Sequence, residues 1–150
     1  MIMTIPMQLE EAQKEVKVEI VQINCEEFEL LKKKIFDNMS IVISDNSNFI
    51  WEQFIDSSNV YGEFAWEYIV ELIPKGECYL FFNQIECKNA YLFHNSKDLC
   101  EVIGETYNCE IYVTDFDGTY LLSYSHEMVL SGYGKAKKWV ENLKKIKNIV

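Results

Sequence analysis

The sequence contains no arginine, and its acidic residues far outnumber its basic ones. All 14 basic residues are lysine, 24 residues are acidic, and the formal net charge is −10. Arginine is the side chain best suited to bidentate recognition of phosphate and guanine, and excess negative charge repels nucleic acid and anionic membranes. We therefore expect neither nucleic-acid nor membrane binding.

The chain also lacks long apolar runs. No uninterrupted apolar stretch approaches the ~20 residues that a membrane-spanning helix needs. Residues 1–7 carry no lysine, and their apolar run is broken by Pro6 and followed by Glu10 and Glu11, which does not fit a secretory signal. We accordingly predict a cytoplasmic protein.

Cysteine and histidine patterns that hold metals are absent as well. No two of the five cysteines form a C-x-x-C pair, and only His94 and His126 could join them as ligands. In a reducing compartment such cysteines are ordinarily free thiols. We predict no metal, no cofactor and no disulfide framework. The cysteines are Cys25, Cys78, Cys87, Cys100 and Cys109.

The chain does have ample material for a core. Its 150 residues are 49% hydrophobic and 14% aromatic, without repeats or low-complexity tracts, so we predict a single α+β domain over residues 1–150. The predicted architecture is an antiparallel β-sheet of about four to six strands, with helices packed on it and an amphipathic helix at the C-terminal end. The sequence leaves the oligomeric state open.

Apolar spacing and turn residues place the individual elements. Residues 16–23 fit either a helix or a strand, because Val16, Val18 and Ile20 alternate with charged residues. We predict helices that begin near Met7, Asn24, Ile50, Asp56, Asn95 and Gly134. We predict strands over 41–43, 79–82, 90–93, 111–113 and 120–122, and near 128–130.

Three glutamates recur along the helix that is predicted between the polar cluster 56–59 and Pro74. Glu63, Glu67 and Glu71 stand at i, i+4 and i+8 without a lysine between them. Like charges at this spacing cost roughly 0.2–0.5 kcal/mol per pair, which a solvated helix face tolerates easily. The alternative interpretation is a docking surface for a basic partner.

The segment Asp115-Phe116-Asp117-Gly118-Thr119 follows an apolar strand and resembles the first motif of haloacid-dehalogenase-type phosphatases. That resemblance implies a nucleophilic Asp115, an acid/base Asp117 and a Mg²⁺ ion. The 31 residues after Thr119 contain no aspartate, so the family's later acidic pair cannot be completed downstream. A two-residue Asp-Gly hairpin turn explains the same letters without chemistry.

The C-terminal third carries a second resemblance, in the pattern Tyr112-Val-Thr-Asp115, Thr119-Tyr-Leu-Leu122, Ser125-His126 and Gly134-x-Ala136-x-x-Trp139. It is similar to small uncharacterised bacterial α+β proteins, some of which are thought to be immunity partners of secreted toxins. The resemblance transfers no catalytic residue.

These observations favour a non-enzymatic binding protein with an acidic surface. The last sixteen residues carry a local charge of +5, which leaves −15 on the rest of the chain, so a basic protein should meet the body and not the C-terminal helix. We therefore predict a bacterial immunity protein that binds a basic toxin through Glu63, Glu67 and Glu71. The alternatives are a Mg²⁺-dependent hydrolase at Asp115 and Asp117, and a pocket protein lined by Trp51, Trp66 and Tyr68.

Overall fold

A computed structural model describes residues 3–39, 56–83, 87–106 and 110–149. In these ranges the chain has seven strands: β1 (Val21–Gln22), β2 (Ser58–Tyr61), β3 (Cys78–Phe82), β4 (Ala90–Phe93), β5 (Ile111–Thr114), β6 (Tyr120–Tyr124) and β7 (Val129–Gly134). The helices there are α1 (Ile5–Val16), α2 (Cys25–Asn38), a 3₁₀ helix (Ala65–Tyr68), α3 (Ile69–Leu72), α4 (Ser96–Gly104) and α5 (Lys135–Ile146).

The strands form one sheet in the order β1-β4-β3-β5-β6-β7-β2, and every neighbouring pair is antiparallel. The α+β class, the antiparallel sheet and the C-terminal helix are thus confirmed. The predicted four to six strands are too few, because β1 lies in the segment 16–23 that the sequence left open between helix and strand, and β2 lies where a helix start was predicted.

The sheet separates two hydrophobic cores. On one face, Phe28 and Ile35 of α2 pack against Phe81, Tyr112 and Leu121, with the rings of Phe81 and Tyr112 stacked 5.3 Å apart. On the other face, α1, α3, α4 and α5 cover a larger apolar layer that includes Leu80, Phe82, Phe93, Val113 and Leu122. Alternation along each strand sends neighbouring side chains into different cores.

Side-chain caps fix the predicted starts of α2 and α4. The Asn24 side chain accepts a hydrogen bond from the Glu27 amide at 2.8 Å, and the Asn95 side chain accepts one from the Asp98 amide at 2.8 Å. Each cap satisfies an N–H group that has no partner inside the helix. These two helix starts are confirmed.

The segment 16–23 is resolved in favour of extended structure. Helix α1 ends where Lys17 adopts the left-handed conformation (φ 54°), and β1 then pairs Val21 with Leu92 and Gln22 with Tyr91. Val18 is buried between the two elements. Val16 is therefore the last residue of α1, whereas Val18 and Ile20 lie in the connection from α1 to β1.

The helix predicted from the cap at 56–59 is wrong in its first half. Ser58–Tyr61 is the edge strand β2, which pairs with β7 from Gly132 to Val129. Helical structure begins only at Ala65, as a 3₁₀ turn, and α3 ends at Leu72, just before Pro74. Alternating burial along β2, with Val60 buried and Tyr61 exposed, is typical of a half-covered strand.

At the C-terminal end, β7 continues without a loop into α5. The strand predicted near 128–130 runs from Val129 to Gly134, and Ala136, Val140 and Leu143 of α5 face the core. Ile146 continues the same apolar spacing, but as the last residue of the helix it is 80% exposed.

Two predicted elements, the strand at 41–43 and the helix from Ile50, lie outside the described residues. Among the residues that the structure describes, no helix is long and apolar enough to cross a membrane.

Candidate functional site

The three glutamates singled out in the sequence do not share a helix face. Glu63 lies in the turn after β2, Glu67 in the 3₁₀ helix and Glu71 in α3, and all three side chains are exposed. The turn is held by the Tyr124 hydroxyl, which donates to the backbone carbonyls of Gly62 at 2.7 Å and Glu63 at 2.8 Å. The predicted helical spacing is therefore not realised.

Glu71 is paired with a lysine of this chain. The Lys147 ammonium lies 3.5 Å from the Glu71 carboxylate and 5.8 Å from the ring centroid of Tyr68. This pair is solvent-exposed and contributes little to stability, but it lowers the charge that Glu71 presents to a partner. The basic C-terminal end of the chain thus partly neutralises Glu71.

Glu67 faces a groove between the 3₁₀ helix, α3 and α4, which we call the α4 groove. It is open to solvent, has a volume of about 650 Å³, and carries Lys97 and Glu101 of α4 on its rim, together with Glu105 directly after the helix. Lys97 and Glu101 share one side of α4 because they are four residues apart. Three carboxylates against one ammonium make this rim acidic.

The floor of the α4 groove is apolar. It is formed by Val16 of α1 together with Trp66 and Val70, of which Val70 is 42% exposed. Gly104 allows the Trp66 ring to approach α4, since a Cβ at this position would lie 3.2 Å from the ring. The groove therefore combines exposed apolar surface with an acidic border.

A buried thiol closes the base of the α4 groove. The Cys100 Sγ lies 4.0 Å from the Trp66 carbonyl oxygen, to which it donates a weak hydrogen bond. Burial, followed by the nearby Glu67 carboxylate, raises the pKa of Cys100 to about 12. This raised pKa favours the neutral thiol, as in a cysteine that packs in a protein interior.

The rim charges of the α4 groove are not paired with other described residues. Within 3–39, 56–83, 87–106 and 110–149, no ion pair involves Glu67, Glu101, Glu105 or Lys97. Of these rim residues, only Glu67 was predicted from the sequence to bind a partner. The spacing of Glu101 and Glu105 was visible, but their approach to Glu67 depends on tertiary packing.

The segment from Asp115 to Thr119 connects β5 and β6, and it is longer than the predicted two-residue turn. The Asp115 carboxylate accepts two hydrogen bonds from Thr119, from the amide at 2.7 Å and from the hydroxyl at 2.6 Å. Gly118 has a φ of 64°, and a Cβ there would lie 2.8 Å from the Ile35 amide nitrogen of α2. Asp115 therefore closes this loop.

Helix α2 also holds the loop from outside. The Asn38 amide donates to the carbonyls of Asp117 at 2.8 Å and Gly118 at 3.0 Å. Among the described residues, no group of three or more His, Cys, Asp or Glu side chains could hold a metal ion. The contacts of Asp115 and Asp117 are those of a structural turn.

The remaining candidate residues lie apart from one another. Cys78 and Cys87 are buried and Cys25 is exposed, all as free thiols. His94 Nε2 lies 2.9 Å from the Glu19 carboxylate on the surface. Of the pocket residues predicted from the sequence, Trp66 lines the α4 groove and Tyr68 lies beside Lys147, whereas Trp51 and the fifth cysteine, Cys109, lie outside the described residues.

Comparison of the chain with known proteins found no relative: no protein-family model, no curated protein and no solved structure matches it.

Proposed function

We propose that this chain is a non-enzymatic binding protein that holds a basic, partly apolar segment of a partner protein in the α4 groove. The observation that carries the proposal is the set of carboxylates, Glu67, Glu101 and Glu105, which form no ion pair among the described residues and surround an exposed apolar floor. Unpaired rim charges favour rapid association with a partner of opposite sign. The floor supplies apolar area, which gives affinity once the partner is bound.

The chain's own lysines leave the α4 groove accessible. Lys147 pairs with Glu71, and Lys137 lies 2.6 Å from Asp56, so two of the C-terminal lysines contact acids elsewhere. Lys97 is the one lysine among the described residues that line the groove. A basic partner is therefore drawn to the groove and repelled by α5, as the uneven charge along the sequence suggests.

The aromatic side chain of Trp66 forms the centre of this site. Trp66 is half-buried and stands beside Glu67, and tryptophan is the aromatic ring that attracts lysine and arginine most strongly. A volume of about 650 Å³ accommodates several partner side chains. We therefore propose a partner segment in which lysines or arginines alternate with apolar residues.

The biological form of binding that we propose is immunity, in which the chain neutralises a basic toxin. Support comes from the resemblance of the C-terminal third to small bacterial proteins of this kind, together with the net charge of −10. The Mg²⁺-dependent hydrolase alternative is not favoured by the contacts of Asp115, because both of its carboxylate oxygens accept hydrogen bonds from Thr119.

The test uses the product of a toxin-like reading frame beside the gene as the binding probe. Reversing Glu67, Glu101 and Glu105 to lysine should lower the association rate at low salt by at least tenfold and flatten its dependence on salt. Reversing Glu10, Glu11 and Glu127 makes the same change in net charge at other exposed positions and should have a much smaller effect.

Two outcomes would count against the proposal. Equal losses in the two triple variants would show that only the net charge matters and that the α4 groove is not the site. Failure of the unmodified chain to bind the probe, or to protect cells that express it, would refute the immunity function itself.

A further inference from the structure

Helix α2 presents an exposed apolar residue at the middle of its outer face. Leu30 is 61% exposed, and Phe116 of the β5–β6 loop, beside α2, is 64% exposed. Lys34 fixes Phe116 in place, since its ammonium lies 3.8 Å from the ring centroid and donates to the Phe116 carbonyl at 3.3 Å. Two apolar side chains are thus held outward on one side of the molecule.

Two hollows flank Leu30. The first, of about 210 Å³, is lined mainly by the apolar residues Ile23, Leu30, Leu31, Tyr79 and Phe116, together with Glu27 and Lys34. The second, on the other side of Leu30, is an open depression of about 540 Å³. The residues of α2 that line it are Cys25, Glu26, Glu29, Leu30 and Lys33. The face therefore carries both projecting apolar groups and an apolar recess that could receive them.

The charges of α2 are opposite on the two sides of Leu30-Leu31. Glu26, Glu27 and Glu29 precede this pair and Lys32–Lys34 follow it. When a second copy of α2 lies antiparallel to the first, the acidic half of each helix faces the basic half of the other, which is compatible with an interface of two-fold symmetry. The helix dipole also favours this order of charges within one helix, but it does not account for the exposure of Leu30.

One acidic and one basic residue of α2 are available for contacts with another molecule. Lys32 pairs with Glu29 at 2.5 Å, and Lys34 holds the Phe116 loop. Within the described ranges of the chain, neither Glu26 nor Lys33 takes part in an ion pair. These two residues lie on the same exposed stripe as Leu30, at i−4 and i+3.

We propose that two copies of this chain associate through α2, packed antiparallel across a two-fold axis beside Leu30. Leu30 and Phe116 of each copy enter the apolar recess of the other, and Glu26 of each copy meets Lys33 of the other. Because α2 and the α4 groove lie on opposite faces of the sheet, the pair presents both grooves outward. The inference is independent of the function proposed for the groove.

The association is weak. A helix of 14 residues is about 21 Å long, so the contact lies at the low end of specific interfaces. Each copy also carries a net charge of −10, and this long-range repulsion is screened by salt more than the contacts at the interface are. We expect a dissociation constant in roughly the micromolar range, with tighter association at 0.15 M salt than at 0.01 M.

The test is sedimentation equilibrium of the full chain over a range of concentrations. Glu26→Lys and Lys33→Glu should each weaken self-association at least tenfold, because each places like charges opposite one another. An equimolar mixture of the two variants should restore association, since its mixed pairs again bring opposite charges together. Ile146→Glu, at a position on α5 that is 80% exposed, is the control and should associate like the unmodified chain.

The outcomes separate cleanly. Restoration in the mixture supports the two-fold α2 interface, and circular dichroism of each variant verifies that the fold is retained. An unmodified chain that remains monomeric at millimolar concentration would overturn the proposal. So would variants that associate as tightly as the unmodified chain, or a mixture that associates no better than its components.

Discussion

Replacement of Asp115 by alanine tests whether this residue closes the β5–β6 loop. The variant loses the two hydrogen bonds that the Asp115 carboxylate accepts from Thr119, one from the amide at 2.7 Å and one from the hydroxyl at 2.6 Å. Hydrogen bonds to charged groups contribute about 1.5–3 kcal/mol each, so the pair could reach about 3–6 kcal/mol. Asp115 is only half-buried, and water replaces part of what is lost, so we expect a loss of about 2 kcal/mol.

The matched control is Asp117→Ala in the same loop. Its carboxylate is exposed, and the contact with Asn38 uses the backbone carbonyl, which the substitution keeps. We expect this variant to lie within about 0.5 kcal/mol of the unmodified chain.

Urea unfolding measures the difference directly. With a slope of about 2 kcal/mol per molar urea, a loss of about 2 kcal/mol moves the midpoint of Asp115→Ala down by about 1 M. Equal midpoints for the two variants would refute the structural role of the carboxylate. Mg²⁺-dependent hydrolysis of a phosphomonoester that disappears in Asp115→Asn would instead support the hydrolase alternative.

Two further predictions concern packing and pH. Gly132→Ala should lower the free energy of unfolding by about 1–3 kcal/mol, because its Cβ would overlap the backbone carbonyl of Ala136 and lie 2.8 Å from Val140 Cγ2. Gly62→Ala meets no atom closer than 3.6 Å and should cost much less in the same urea titration. The hydrogen bond and charge of Glu19 raise the pKa of His94, so the stability that this pair adds is complete below the ordinary histidine pKa and is lost as the pH rises through the raised value. Proton NMR titration should show a lower His94 pKa in Glu19→Gln than in the unmodified chain. An unchanged pKa would contradict the pairing.

Elements whose signals are local could be predicted from the sequence. Asn24 and Asn95 lie one residue before their helices and bond to amides three residues on, so the cap and the helix it starts lie within one turn. The β5–β6 hairpin was also predicted, because Asp117-Gly118 is a typical turn pair. The length of its loop was not, since it depends on contacts with Asn38 of α2.

What the sequence could not reveal depends on residues that are far apart in the chain. Val60 of β2 pairs with Leu130 of β7, and without that partner the polar residues before it fit a helix cap equally well. For the same reason Glu67 was identified without Glu101 and Glu105. Their common groove exists because the 3₁₀ helix and α4 pack together, which no local spacing encodes.

The pairing of β2 with β7 also constrains how the chain folds during its synthesis. Residue 58 leaves the ribosome more than seventy residues before its partner at 132, which takes several seconds at typical rates of translation. During this interval the nascent chain carries a strand without its pairing partner. Unpaired strands are prone to aggregation, which chaperones ordinarily prevent. Slow, late completion of the sheet is therefore expected, because contacts between distant residues delay folding.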